Sequence, residues 1–470
     1  MHPRNRRLEL IPPAFAALTG AIAIVLALFV VPGVTDPVTR FAWVAATSAA
    51  ATGALLVIAG PSSATAVYAV VFWCFHFGLV AALATGYASA VDLPPDYEGW
   101  VFDPITGDAA IVALCGFLAF ASGACLVHWS HGRFRRTSPQ PTDDERAHPY
   151  GSVGSALVLG AIASWCVVVL LAGGVTGFFT SYEDFRQMTA DYSVPISIIS
   201  PVLACGVVMA VTGKTGWQRT AAIAAFAGFA LVALPIGLRT DVMFPAVAVV
   251  VASARCGRAF SPVKVAAVGL ALVLLIPVVR DLRTTGITAL PEALVAPRLD
   301  ALVEMGGSLR PVEQVVRWHA EGEPFQHGAS YWAPFERAAS RLLPGLRAAS
   351  ADDDLRLMNV LVLDRIGAIG FSPVAEAYRN FGPVGVVIVL GLIGALLGGI
   401  DTIENRRTAV LAIATLYPPL LINVRNSFVS VPAQCVAGIL FLAAVAAARH
   451  VMVSLTSRPY ARSADNRSQV

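Results

Sequence analysis

Apolar runs of about twenty residues recur from one end of this chain to the other, and nothing else restricts its fold as strongly. As an α-helix, such a run spans the ~30 Å hydrocarbon core of a bilayer. In hydrocarbon each backbone N–H and C=O must be satisfied within the spanning structure, and a helix does this alone. Twelve runs fall at roughly 11–31, 41–60, 63–88, 109–129, 152–172, 196–212, 219–238, 241–255, 263–279, 383–400, 408–423 and 431–450. With 56% hydrophobic and only 13% charged residues, a water-soluble chain of this size is excluded. The expected fold class is an all-α polytopic membrane protein with about twelve transmembrane helices.

Basic residues order these spans. Arg4, Arg6 and Arg7 precede the first; Arg133, Arg135, Arg136 and Arg146 follow the fourth; Lys214 and Arg219 follow the sixth; Arg255, Arg258 and Lys264 follow the eighth. Arg406 and Arg407 follow the tenth, and Arg449, Arg458, Arg462 and Arg467 close the chain. With twelve spans all of these share one side, which the positive-inside rule makes cytoplasmic, together with both termini. The acidic loop VDLPPDYEGWVFDPITGD (91–108) falls outside. MHPRNRRLEL resembles the start of a signal peptide, but no convincing cleavage site follows, so the first span is expected to be retained. A net charge of +3 is too small to point to nucleic acid. The seven cysteines show no CxxC or His-rich spacing, so neither a disulfide framework nor a metal site is expected.

One loop differs from the rest. The chain divides into spans one to nine (1–279), a large outer loop (280–382), spans ten to twelve (383–452) and a cytoplasmic tail (453–470). A structureless loop of that length is uncommon. Amphipathic pieces such as PRLDALVEMGGSLRPVEQVVRWHAEG (297–322) predict short helices capping the outer face. A second outer loop, GFFTSYEDFRQMTADYS (177–193), is aromatic and acidic.

The large loop ends in GFSPVAEAYRNFGPVGVV (370–387). Ser372 and Pro373 read as an N-cap and a first helical position. Glu376, Arg379 and Asn380 then follow at i, i+3 and i+4, on one predicted face. Gly382-Pro383 ends this helix, and a span begins. On the predicted topology Arg239, Arg280, Arg283, Arg379 and Arg425 gather at the outer face, against the positive-inside bias. Guanidinium groups suit bidentate binding of phosphate oxygens. For a single arginine, pairing with an outer acid (Asp241, Asp281 or Glu376) or snorkelling to lipid phosphate accounts for the residue. Five together, at a depth where charge is costly, fit a shared anionic ligand better.

Glu376 is the candidate general base; its alternatives are an ion pair with Arg379 or a charge favoured by the helix N-terminus. His327, in the turn-rich PFQHGASYW, is the second catalytic candidate, whereas His319 reads as a solvated histidine. Asn380 and Tyr331 join the five arginines as substrate-binding candidates. Tyr331, Trp332 and Phe335 could stack on sugar rings or anchor at the membrane interface. The run Asp352-Asp353-Asp354 reads as a solvated acidic turn rather than a cation site.

Three pieces carry a family likeness: EMGGSLRPVEQVVRWHAEGEPFQHGASYWAPFERAASRLLPG (304–345), GAIGFSPVAEAYRNFGPVG (367–385) and GLRTD (237–241). Together they resemble the Wzy-type O-antigen polymerases, and GFS-x-x-AEAY-x-NFG is the most specific part. The likeness covers most of the second half, while the first five spans match only in hydropathy. It implies a GT-C-like membrane glycosyltransferase in the bacterial plasma membrane. Such an enzyme joins undecaprenyl-pyrophosphate-linked oligosaccharide repeat units at the outer leaflet, without cofactor or metal. It further implies that Arg239, Arg280, Arg379 and, less directly, Arg425 bind the anionic carriers, and that a flippase and a chain-length regulator are partners. An O-antigen-ligase-type transferase would share this architecture. A transporter would instead show duplicated halves and mid-span charges.

Overall fold

A computed structural model describes residues 11–29, 37–88, 93, 95–132, 151–214, 216–257, 261, 300–343, 353–367 and 369–457. Among the described residues the regular elements are helical: α1 (Ile11–Phe29), α2 (Pro37–Ala59), α3 (Ala64–Ala84), α4 (Pro95–Val101), α5 (Pro104–Gly132), α6 (Gly151–Gly173), α7 (Tyr182–Met188), α8 (Ser193–Thr212), α9 (Trp217–Ile236) and α10 (Arg239–Arg255). After residue 300 come α11 (Asp300–Gly306), α12 (Arg310–Ala320), α13 (Ala329–Leu342), α14 (Met358–Arg365), α15 (Pro373–Thr402), α16 (Arg406–Asn423) and α17 (Ser430–Ser457).

Among the described residues, seven helical stretches are long and apolar enough to cross a membrane: Thr39–Ala59, Ala64–Ala84, Pro104–His131, Gly151–Phe179, Ala190–Thr212, Trp217–Ile236 and Pro373–Thr402. The chain is therefore a multi-pass membrane protein. Four further predicted spans coincide with α1, α10, α16 and α17. Of these, α1 and α17 carry shorter apolar runs, Pro13–Ile22 and Ser430–Ala444. The predicted span at 263–279 lies outside the described residues, as do Arg280 and Arg283.

Contacts sort the described helix ends into two sets. At one end the Asp401 carboxylate, near the end of α15, accepts from the backbone N–H of Ala64 (2.7 Å) and Thr65 (2.9 Å). An acid from one helix thereby caps the positive N-terminus of another. Arg255 donates to the Asp401 carbonyl at 3.0 Å, which brings the end of α10 to the same place. At the opposite end Arg239 pairs with Glu304 at 2.8 Å, Arg317 pairs with Asp103 at 2.9 Å, and the Phe371 N–H donates to the Arg425 carbonyl at 3.1 Å. The short helices α11 to α14 belong to this second end.

Among the described helices the most extensive pair is α5 with α15. Small residues let the two backbones approach: a Cβ on Gly394 would collide with the Phe120 carbonyl, and one on Gly398 would come within 2.9 Å of the Ala124 carbonyl. In a bilayer, lipid tails are as apolar as Leu. Helix association there draws on such close van der Waals packing rather than on the hydrophobic effect. This seam holds α15 rigidly below the site.

Candidate active site

The site is built on a helix break. The Ser372 hydroxyl accepts the Ala375 N–H at 3.1 Å and opens α15 as its N-cap. Ten residues later Gly382 adopts φ 65°, ψ −158°, in a region that a side chain disfavours. Pro383 follows and has no N–H to return to Arg379, four residues back. The carbonyls of Arg379 and Asn380 accept instead from the backbone N–H groups of Gln326 (3.0 Å) and His327 (2.9 Å). Left-handed backbone at His327 (φ 51°) and Gly328 (φ 89°) turns the chain there. The Gly328 N–H then reaches the Asn380 side-chain oxygen at 2.9 Å. A turn of the large predicted loop is thus seated on the broken helix end, and α13 departs from it.

The seated turn delivers Ser330 into a buried polar cluster. The Ser330 hydroxyl donates to Glu376 Oε1 at 2.7 Å, and the Phe428 N–H, from the turn before α17, donates to Glu376 Oε2 at 2.6 Å. Asn380 Nδ2 donates to Ser330 Oγ (2.7 Å) and to the Glu376 carbonyl (2.8 Å). Glu376, Asn380 and Ser330 all have 0% exposure. Both carboxyl oxygens of Glu376 are thus met by a donor.

Beside this cluster lies a cavity of about 430 Å³. Glu376, Asn423 and Tyr331 supply its polar wall, and Trp332, Phe335, Phe381, Leu392 and Leu420 much of its apolar wall. Trp332 (66% exposed) and Leu392 (65%) stand at its rim. The Tyr331 ring stacks on Phe381, with centroids 6.2 Å apart, and meets Phe428 edge-on at 5.2 Å. Its hydroxyl is buried without a hydrogen-bond partner among the described residues. Burial, and then the charge of Glu376, push that hydroxyl's pKa well above the ordinary tyrosine value, so it stays a proton-bearing donor.

Arg379 leaves the cluster. Its guanidinium pairs with Glu323 at 2.8 Å and lies 5.7 Å over the Trp318 ring, while Arg365 covers the same ring at 4.9 Å and also pairs with Glu323. Burial opposes ionisation of Glu323, but the two arginines outweigh it and hold the carboxyl below its ordinary range. The single face predicted for Glu376, Arg379 and Asn380 is therefore split. Residues 379 and 380 are about 100° apart around a helix, and the long arginine side chain follows its acid.

The other predicted residues spread out. Arg239 is tied to Glu304 rather than to Asp241, whose carboxylate accepts from Ser200 instead. Arg425 is half-buried, and its carbonyl braces the segment just before the N-cap. His327 contributes backbone, and its side chain is exposed. His319 stacks on Phe325 at 4.1 Å and contacts the Glu323 carbonyl at 3.1 Å. The sequence reading missed Ser330, Glu323, Trp318, Asn423 and the Phe428 N–H. Ser330 and Glu323 flank residues that it had singled out.

The family model for O-antigen polysaccharide polymerase Wzy matches residues 61–454. Protein CapE of Staphylococcus aureus is 34% identical over 134 residues, which is 28% of this chain and 29% of that protein. The match therefore spans less than a third of this curated relative's length. No solved structure matches.

Proposed function

The chain belongs to the O-antigen polysaccharide polymerase Wzy family, and we propose that it is a membrane glycosyltransferase joining lipid-linked oligosaccharide repeat units into a surface polysaccharide. The observation that carries this reading is Glu376. It is a buried carboxylate addressed by two donors, at a helix break, on the wall of a cavity. The carriers would be undecaprenyl-pyrophosphate-linked units, and the site end would face outward from the bacterial plasma membrane, with both termini inside.

In this scheme a sugar hydroxyl of one repeat unit enters the cavity. Each Glu376 oxygen has one lone pair committed to its donor and one left to accept the hydroxyl proton. The hydroxyl oxygen bonds to the anomeric carbon of the other unit. The carbon–oxygen bond to the diphosphate breaks, with its electron pair leaving on the carrier. Fixed cations assist such a leaving group more than a strong base does. The described candidates are Arg379, Arg239 and Arg425, and the first two each already hold a carboxylate that a diphosphate would have to share or displace. The neutral Tyr331 hydroxyl is placed to donate to a substrate oxygen, and Trp332 and Phe335 offer faces for sugar rings.

The test incubates the purified full-length protein with polyprenyl-diphosphate-linked repeat units and resolves the products by size. A ladder of lengthened, carrier-linked glycans is expected. Transfer only to an acceptor without a carrier, or transport without bond formation, would replace the reading with a ligase or a transporter.

A further inference from the structure

We infer that Ser330 is a positioning residue that fixes the orientation of the Glu376 carboxyl group, acting from the segment between α12 and α15 on a helix that it meets only in the folded protein. The inference rests on Glu376 being the proton acceptor proposed above.

The direction of each hydrogen bond is determined. Asn380 Oδ1 accepts from the Gly328 N–H, so the donor end of the amide is the one facing Ser330 and the Glu376 carbonyl. Ser330 Oγ receives that N–H and has a single proton of its own, which goes to Glu376 Oε1. The other carboxylate oxygen meets a backbone N–H, which can only donate. The chain Gly328 to Asn380 to Ser330 to Glu376 therefore runs one way and ends on the carboxylate. Protonation of Glu376 would weaken the donor bond on the oxygen that takes the proton, because the hydroxyl oxygen of a carboxylic acid is the poorer acceptor. Ser330 holds this place because the backbone of residues 326–328 is bonded to the broken end of the helix that carries Glu376. Base and orienting hydroxyl are thus registered to each other by main-chain bonds. A hydroxyl that only filled space would not need Asn380 to aim it.

Removing a hydrogen bond to a charged group changes an equilibrium or a rate by roughly 10- to 100-fold. The experiment measures kcat and KM for elongation of polyprenyl-diphosphate-linked units by full-length wild type, Ser330→Ala, Ser330→Cys, Ser330→Thr and Glu376→Gln, with thermal melting of each in detergent. Ser330→Ala and Ser330→Cys are expected to lose about 10- to 100-fold in kcat with little change in KM. Ser330→Thr, which keeps the hydroxyl, is expected to restore most of the rate. Wild-type kcat in Ser330→Ala, a loss confined to KM, or a Ser330→Thr no better than Ser330→Ala would overturn the inference. Should Ser330→Ala fail to fold, Ser330→Cys against Ser330→Thr decides it, because both keep a side chain of similar reach. Glu376→Gln separates the two levels. If it elongates normally, the base assignment fails; if it is inactive while Ser330→Ala is normal, only the positioning role fails.

Discussion

One short helix, residues 373–381, serves two regions with opposite electrostatics. On one side Glu376 and Asn380 join Ser330 in a closed network of neutral donors around one carboxylate, beside a cavity. On the other, Arg379 and Arg365 share Glu323 over the Trp318 ring, a partly exposed cluster with one more positive than negative charge. A carboxylate beside a diphosphate would repel it, so chemistry that needs both a base and a cation cradle gains from keeping them on different sides of a rigid element. The buried network cannot be rewired without stranding a polar group. The ion-pair cluster can exchange partners, because its members remain partly in contact with water.

Substitutions on either side of the helix test this contrast. Glu376→Gln should have the largest effect, a loss of elongation of about 10²- to 10⁴-fold with normal amounts of protein in the membrane, read as glycan length in cells lacking the wild-type chain. Near-normal length would remove the distinction at its root. Arg379→Ala should cost about tenfold or more, chiefly in KM for the lipid-linked substrate. Glu323→Gln should match or exceed wild type, because it frees Arg379 for an anion. Equal damage from both variants would make the cluster structural.

Tyr331→Phe deletes a hydroxyl with no partner among the described residues, so its melting temperature should stay at the wild-type value while elongation falls by about three- to tenfold. A destabilised Tyr331→Phe would show that the hydroxyl serves the fold. The smallest effect is in pH. The arginines depress the folded-state value of Glu323, so its pairing adds stability at pH above its unfolded value of about 4.3. That stability is lost as pH falls through the lower folded value. Glu323→Gln should flatten this slope in melting curves, by under about 1 kcal/mol given the exposure of the pair.

The helix carrying the site was readable in the chain itself. Ser372-Pro373 and Gly382-Pro383 mark its two ends, and both act through bonds that reach only three or four residues. Their conformations follow the expectation: a capped start, and a break at a glycine of positive φ. Its partners were not readable. Arg379 was grouped with Glu376 by helical spacing, yet it turns away because Glu323, more than fifty positions earlier, offers a carboxylate. His327 attracted attention as a titratable side chain, and the fold uses its N–H. Ser330 stood between two residues of interest without a signal of its own, since a serine declares nothing until its neighbours are known.

The order of amino acids is enough to show that this chain spans a membrane as helices and where the helix carrying the site begins and breaks. Hydrophobic periodicity, caps and breakers act within a turn or two of backbone. Which polar groups meet was set by the packing of distant segments. Ser330, Glu376 and Phe428 lie about fifty residues apart in succession, and nothing local encodes their hydrogen bonds. Burial made those bonds obligatory once the helices had packed, because a carboxyl group taken out of water costs least where donors already face its oxygens.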